Sequence, residues 1–248
     1  MTVAVERPSE RRLLDDALLV ARSLSAVVGA GALAGFVIGG VGGRLAMLIL
    51  RLTSDPGVRG LTSDDGFTIG VVSSATTFLL GATAILGVLG GVAYLLVRSW
   101  LPKRTRPVVF GALCGLVGGA EVIRPGGVDF TLLAPRWLAV TMFVALPAAY
   151  GVAVGLLAER QLQRAPGFGP VRAVLGSLVV VVVPVLAGPP GLAIVGGALV
   201  VFLIVRSVPN AVASWSSPPM RWIGRAGLTA LGVTAAVALG RDVLEILR

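Results

Sequence analysis

The chain has 248 residues, of which 56% are apolar and 13% charged, and its mean hydropathy of +0.93 excludes an ordinary soluble domain. Its apolar runs lack the alternating ten-residue pattern of a membrane β-barrel, so we expect an all-α polytopic membrane protein. The net charge of +9 is spread over short loops between these runs, so we expect no nucleic-acid partner.

Residues 1–21 precede the first apolar run and predict a cytoplasmic amphipathic helix. Ser9 is its expected N-cap, and leucines and alanines follow on one side. The apolar run after it is too long and too rich in glycine for the core of a signal peptide. We therefore expect this segment to remain uncleaved.

Seven apolar segments, separated by Gly, Pro and charged residues, follow along the chain and predict membrane-spanning helices. They cover residues 22–44, 70–98, 107–124, 137–158, 171–187, 190–206 and 222–240. The fifth and sixth have 17 residues each and are joined by a Gly-Pro-Pro-Gly turn, so they form either a spanning hairpin or a re-entrant pair. We predict one helical bundle over residues 22–248.

The basic residues predict the orientation, because Lys and Arg accumulate in cytoplasmic loops. With the N-terminus inside, fourteen of the 21 basic residues fall on the cytoplasmic side, and the 12 acidic residues divide into five inside and seven outside. We therefore expect a bacterial plasma membrane protein with its N-terminus in the cytoplasm and its C-terminus outside. Membrane lipid is its first expected partner.

The residue types exclude much enzyme chemistry. The chain has no histidine and a single cysteine, Cys114, which excludes histidine-ligated haem, imidazole triads and an internal disulfide. No Walker A or G-x-S-x-G sequence occurs. We expect no cofactor and no dedicated metal site, and a role in transport or assembly rather than catalysis.

Glycines recur every four residues in two of the segments. They are Gly31, Gly35, Gly39 and Gly43 in the first, and Gly111, Gly115 and Gly119 in the third. Such stripes allow helix backbones to approach closely. We expect the first stripe to pack inside the chain, against the second or third segment. The alternative is a seam with a second copy or with a partner membrane protein.

The two striped helices lead into loops that resemble each other. Asp precedes Phe-Thr at residues 65–68 and again at 128–131. This similarity predicts that residues 22–98 and 107–160 form a tandem repeat, with the functional site near the repeat interface. Coincidence in a sequence of low complexity is the alternative.

Two charged residues follow the glycine stripes and are the first site candidates. Arg44 lies 22 residues after Arg22, roughly 33 Å along a helix, which places it at the outer interface. Glu121 lies 14 residues after Pro107, roughly 21 Å, within the outer half of the membrane. A carboxylate at that depth needs a partner, either Arg44 or Arg124 on its own helix.

The acidic loop residues complete the predicted site. Asp64 and Asp65 either cap the following helix or form an acidic mouth with Asp129 above Arg44 and Glu121. Carboxylates are hard ligands, but the spacing of an EF-hand is missing, so a metal ion is not expected.

Three functional classes agree with these patterns. The glycine-rich and proline-containing helices favour a transporter- or permease-like bundle with an outer acidic site. A non-catalytic scaffold or accessory subunit of a membrane complex is the first alternative. The second is an enzyme that processes envelope lipids through Asp and Glu chemistry.

Overall fold

The structure is a computed structural model, and it describes residues 8–58, 60, 74–186, 215 and 217–248. All regular secondary structure in these residues is helical. The helices are α1 (Pro8–Ala34), α2 (Gly43–Thr53), α3 (Ser74–Val97), α4 (Arg106–Val122), α5 (Val128–Thr131), α6 (Arg136–Arg164), α7 (Pro170–Leu186) and α8 (Pro218–Leu247). Two 3-10 turns, Pro56–Val58 and Ala165–Gly167, follow α2 and α6.

Three of the described helical stretches are long and apolar enough to cross a membrane. They are Ala17–Thr53, Thr77–Val97 and Arg136–Gly167, and a shorter apolar helix covers Pro170–Val180. The described part of the chain is therefore all-helical and contains three candidate membrane-spanning helices. The expected segment 190–206 lies outside the described residues.

The first helix is longer than the sequence predicted. A π-helical stretch, Gly35–Gly42, joins α1 to α2, so one continuous helix extends from Pro8 to Thr53. The helix therefore does not end at the segment boundaries expected near residue 21 and at Arg44. The physical reason is that no proline interrupts the chain between Pro8 and Pro56, and apolar packing stabilises a glycine-rich helix that would be unstable in water.

The helices alternate in direction around a central α6. α1 and α3 are antiparallel neighbours, as are α4 and α6, and α6 also contacts α1, α3 and α8. α7 packs alongside α1, and α8 alongside α4, each in the direction of its neighbour. α7 and α8 therefore run in the same direction.

The contact between α1 and α3 brings backbone against backbone. A Cβ atom added to Gly31 would overlap the carbonyl of Gly87, and one added to Gly35 would lie 2.9 Å from the Cα of Gly87. Gly39 faces a threonine side chain of α3, whereas a Cβ on Gly43 would meet nothing within 4 Å. Three of the four glycines in this stripe thus line the contact with the second predicted segment.

The contact between α4 and α6 places glycine against small side chains. A Cβ added to Gly111 would lie 2.8 Å from the carbonyl oxygen of Ala148, and one on Gly115 would lie 2.9 Å from the Cβ of Ala148. Gly119 continues the row, since a Cβ added there would lie 3.1 Å from Val144 Cγ2. Both pairs of helices therefore depend on residues without side chains for their close approach.

Buried apolar side chains form a cluster at each end of the bundle. At the Glu159 end, where α3 and α6 finish and α4 begins, Tyr94, Phe110 and Val154 are buried together. At the opposite end, called here the Asp129 end, Leu50 and Ile123 pack with residues of α5, α6 and α8. The two ends differ in the charged groups that lie over these clusters.

Candidate functional site

One carboxylate joins three helices at the Glu159 end. Glu159 on α6 accepts a hydrogen bond from the Tyr94 hydroxyl at 2.8 Å and two from Arg98, through Nε at 2.7 Å and Nη2 at 2.9 Å. Arg106 Nη1 donates to the same carboxylate at 3.4 Å. These four residues are named the Glu159 cluster.

Local structure explains how the Glu159 cluster forms. Tyr94 and Arg98 are four residues apart on α3 and its continuing turn, so both side chains leave one face of the helix. Gly155 lies one turn before Glu159, and a Cβ there would be 2.7 Å from the Cα of Pro107. The missing side chain brings the start of α4 against α6, which places Arg106 within reach of the carboxylate.

The Glu159 cluster carries a net positive charge and is only partly screened from solvent. The side chains of Arg98, Glu159 and Arg106 are 34%, 24% and 14% exposed, whereas Tyr94 is fully buried and packs edge-on against Phe110 at 5.1 Å. The hydrogen bonds to Glu159 raise the pKa of the Arg98 guanidinium above its ordinary value. The arginine therefore remains charged at any physiological pH.

The hydrogen bonds of the Glu159 cluster favour a role in holding helices together over acid–base chemistry. Glu159 receives four donors on its two oxygen atoms, so it is a poor general base. The buried Nε of Arg106 has no hydrogen-bond partner in the described part of the chain, so this guanidinium is incompletely satisfied. Such a cluster holds helices together but can release them when an anion or a charge change competes for the arginines.

The described residues of the site predicted from the sequence lie toward the opposite end. Asp129 is buried in α5, Glu121 is exposed near the end of α4, and Arg44 lies in the first turn of α2. Asp64 and Asp65 lie outside the described residues. These five residues remain a predicted site.

The segments that carry the described members of this predicted site do come together. Leu50 of α2, Ile123 directly after α4 and Phe130 of α5 belong to one buried apolar cluster. Phe130 also contacts Phe143 of α6 at 5.2 Å between ring centroids. The packing places the ends of α2 and α4 beside α5.

Sequence reasoning missed the Glu159 cluster. Glu159 was counted only as a cytoplasmic charge at the end of the fourth segment, where it would meet solvent. Its spacing is only an indirect signal: Glu159 follows Gly155 by four residues, and Tyr94 follows Gly91 by three, so each lies about one turn beyond a glycine pair. Those pairs pack against α4 and α1 respectively, so they do not indicate that α3 and α6 meet at these residues.

Among the described residues no group of three or more His, Cys, Asp or Glu side chains is placed to hold a metal ion. No protein-family model, curated protein or solved structure matches this chain. Its function is therefore argued from the geometry alone.

Proposed function

We propose that the chain is a transporter- or permease-like membrane bundle in which the Glu159 cluster closes one end of the pathway. Acidic residues at the Asp129 end would receive the substrate. The observation that carries this proposal is that one carboxylate ties α3, from one glycine-packed pair, to α4 and α6 of the other pair. A link between two separately packed units is suited to open and close as they move.

The proposal includes seven membrane crossings, with the N-terminus in the cytoplasm. The alternating directions of α1, α3, α4 and α6 support this topology. The shared direction of α7 and α8 is the relation expected between the first and third of three consecutive crossings. In this orientation the Glu159 cluster is cytoplasmic and α5 is extracytoplasmic.

The energetics of the Glu159 cluster are consistent with a reversible closure. Charge-assisted hydrogen bonds in a bidentate arrangement are stronger than neutral ones and fix geometry. Partial exposure of Arg98 and Glu159 lowers the cost of separating them, because water can solvate both groups after the link breaks. A fully buried pair would be far costlier to open.

A non-transporting accessory subunit is the second candidate. The backbone contact between Gly31, Gly35 and Gly87 favours it, because such tight packing also suits a rigid scaffold. Two rigid helix pairs that never separate would give the same closed structure. The alternatives therefore differ in whether the Glu159 end opens.

A test of opening uses a cysteine placed beneath the closure. Val154 is 0% exposed and lies about one turn below Glu159 on α6, roughly 7.5 Å along the helix. Val154→Cys is made in a Cys114→Ala background and labelled in membrane vesicles with an impermeant maleimide. Opening predicts slow labelling that rises about tenfold when Glu159→Gln weakens the closure.

The matched control is Ile123→Cys, which is also 0% exposed but lies at the Asp129 end. Its labelling should remain slow in the Glu159→Gln background, because only the Glu159 end opens. Equal labelling of both positions would indicate unfolding. No labelling of Val154→Cys in either background would favour the accessory subunit.

A further inference from the structure

A groove along α8 begins near the Glu159 end, but none of its described lining residues belongs to the Glu159 cluster. This open groove has a volume of about 640 Å³ and extends along one side of the helix from Trp222 to Thr234. Ala226, Ala230 and Val233 are among its lining residues, and the described lining is mainly apolar. From Trp222 to Thr234 the helix rises by roughly 18 Å, which is close to the depth of one membrane leaflet.

Arg225 is the one charged residue in the described lining, and it lies near the N-terminal end of the groove. Its Nε donates to the carbonyl oxygen of Trp100 at 2.9 Å, and its guanidinium carbon lies 5.9 Å from the centre of the Trp222 ring. The side chain is exposed, and no carboxylate of the described residues forms an ion pair with it. Its remaining N–H groups can therefore meet an anion from outside.

The surroundings of Arg225 are aromatic. Gly224 sits directly against the indole of Trp100, where a side chain would collide with the ring. Trp100 in turn stacks on Trp215 at 4.8 Å between ring centroids, and Trp215 Nε1 donates to a backbone carbonyl of α3 at 2.9 Å. Tryptophan is typical of the membrane–water interface, so Arg225 is held at the depth of lipid headgroups.

We propose that this groove binds one phospholipid with an anionic headgroup. The headgroup phosphate is recognised by the Arg225 guanidinium, and an acyl chain lies along Ala226, Ala230 and Val233. The combination of one unpaired cation at the interface with an apolar floor one leaflet deep matches the two parts of this ligand. The proposal does not depend on transport.

A second copy of the chain fits the same face less well. Ala226 and Ala230 have the spacing of small residues in helix dimers, but copies inserted in one membrane share their orientation. A twofold contact along this face would bring Arg225 close to its own counterpart. Like charges at low dielectric oppose that contact, whereas a phosphate neutralises the arginine.

The test measures lipid binding to the delipidated full-length protein by native mass spectrometry. Wild type is titrated with phosphatidylglycerol and with phosphatidylcholine of identical acyl chains. We expect phosphatidylglycerol to bind about tenfold more tightly, and Arg225→Gln to remove that preference. Ala230→Phe fills the groove while retaining the charge, so it should weaken binding of both lipids.

Two control variants share the chemistry of these substitutions but lie elsewhere on α8. Arg241→Gln removes an exposed arginine near the other end, and Ala236→Phe adds a ring at an exposed position outside the groove. Both should bind lipid as wild type does. Glycerol phosphate, which has the headgroup without the chain, should not compete at millimolar concentration.

Three results would overturn the proposal. They are equal affinity of wild type for the two lipids, an unchanged preference in Arg225→Gln, and full competition by glycerol phosphate, which would indicate a site for free phosphate. A dimer that Ala230→Phe converts to a monomer, without a lipid preference in wild type, would assign the face to a second copy.

Discussion

The two ends of the bundle place an acidic residue in different surroundings. At the Glu159 end, a carboxylate joins three helices through four hydrogen bonds from side chains. At the Asp129 end, apolar residues of α2, α4, α5, α6 and α8 form the main cluster, and Asp129 is buried beside it in a four-residue helix. Both ends bury apolar side chains. The Glu159 end adds side-chain hydrogen bonds to a carboxylate, whereas the Asp129 end has hydrogen bonds to backbone groups, such as that from Thr53 Oγ1 to the Ala134 carbonyl oxygen at 2.7 Å.

This difference shows that the charge of a segment does not reveal its role. The Asp129 end contains α5, the described one of the two acidic segments that the sequence predicted as a site. The Glu159 end has a large excess of basic residues, and its one central acidic residue looks like part of an ordinary cytoplasmic loop. The structural importance of Glu159 comes from partners 53 to 65 positions away in the chain.

The largest expected effect concerns which end faces the cytoplasm. Reporter fusions after residue 104, near the Glu159 cluster, should be active only as cytoplasmic reporters. Fusions after residue 62 should be active only as extracytoplasmic reporters, because the basic excess is retained inside. Reversed activities would place the Glu159 cluster outside and the acidic loops in the cytoplasm.

The next effect tests whether polar contacts hold the Glu159 end. Glu159→Ala leaves Arg98 and Arg106 close together without a counter-charge. We expect the free energy of unfolding in detergent to fall by about 3 kcal/mol, the lower limit for buried pairs, because the cluster is partly exposed. Glu245→Ala, an exposed carboxylate near the end of α8, should change it by less than about 0.5 kcal/mol.

Equal losses in these two variants would show that the Glu159 cluster contributes nothing beyond an ordinary surface charge. Apolar burial would then be the main stabilising interaction at both ends.

A smaller effect is expected from the helix contact that lies between the ends. Gly35→Leu forces α1 away from α3, because a Cβ there already meets the backbone of Gly87 at 2.9 Å. Overpacking of this kind costs roughly 1–3 kcal/mol. Gly29→Leu is the matched control on the same helix, since a Cβ at Gly29 meets nothing within 4 Å. Thermal unfolding in detergent compares the two, and equal melting temperatures would contradict the packing argument.

Much of the helical architecture could be predicted from hydropathy and from the positions of proline. The starts of α4 and α6 agree with the expected segments within one residue, because Pro107 and Pro135 mark them. The end of α2 could not be predicted from Arg44, since an arginine near an interface does not terminate a helix. The chain continues until Pro56 imposes a turn.

The Glu159 cluster was beyond prediction for a different reason. Hydrogen bonds between side chains depend on the rotation of each helix about its own axis, and tertiary packing sets that rotation. The glycine pairs show which faces meet, but only the combined packing of α3, α4 and α6 brings Tyr94, Arg98 and Arg106 to one carboxylate.

The smallest change in stability is expected at Asp65, outside the described residues, where a substitution distinguishes a binding role from helix capping. Asp65→Asn should leave the melting temperature nearly unchanged, because Asn caps a helix about as well as Asp. If Asp65 belongs to an acidic mouth that concentrates a cation or an amine, sodium, calcium or methylammonium should stabilise wild type more than this variant.

Asp55→Asn is the matched control: it removes one charge nearby, while the amide oxygen can still accept the hydrogen bond that Gly57 N–H donates at 2.7 Å. A cation-dependent stabilisation lost in Asp65→Asn and kept in Asp55→Asn would support the site. Identical melting curves for all three proteins with every cation would leave capping as the role of Asp65, and the Glu159 end would then be the only candidate for function.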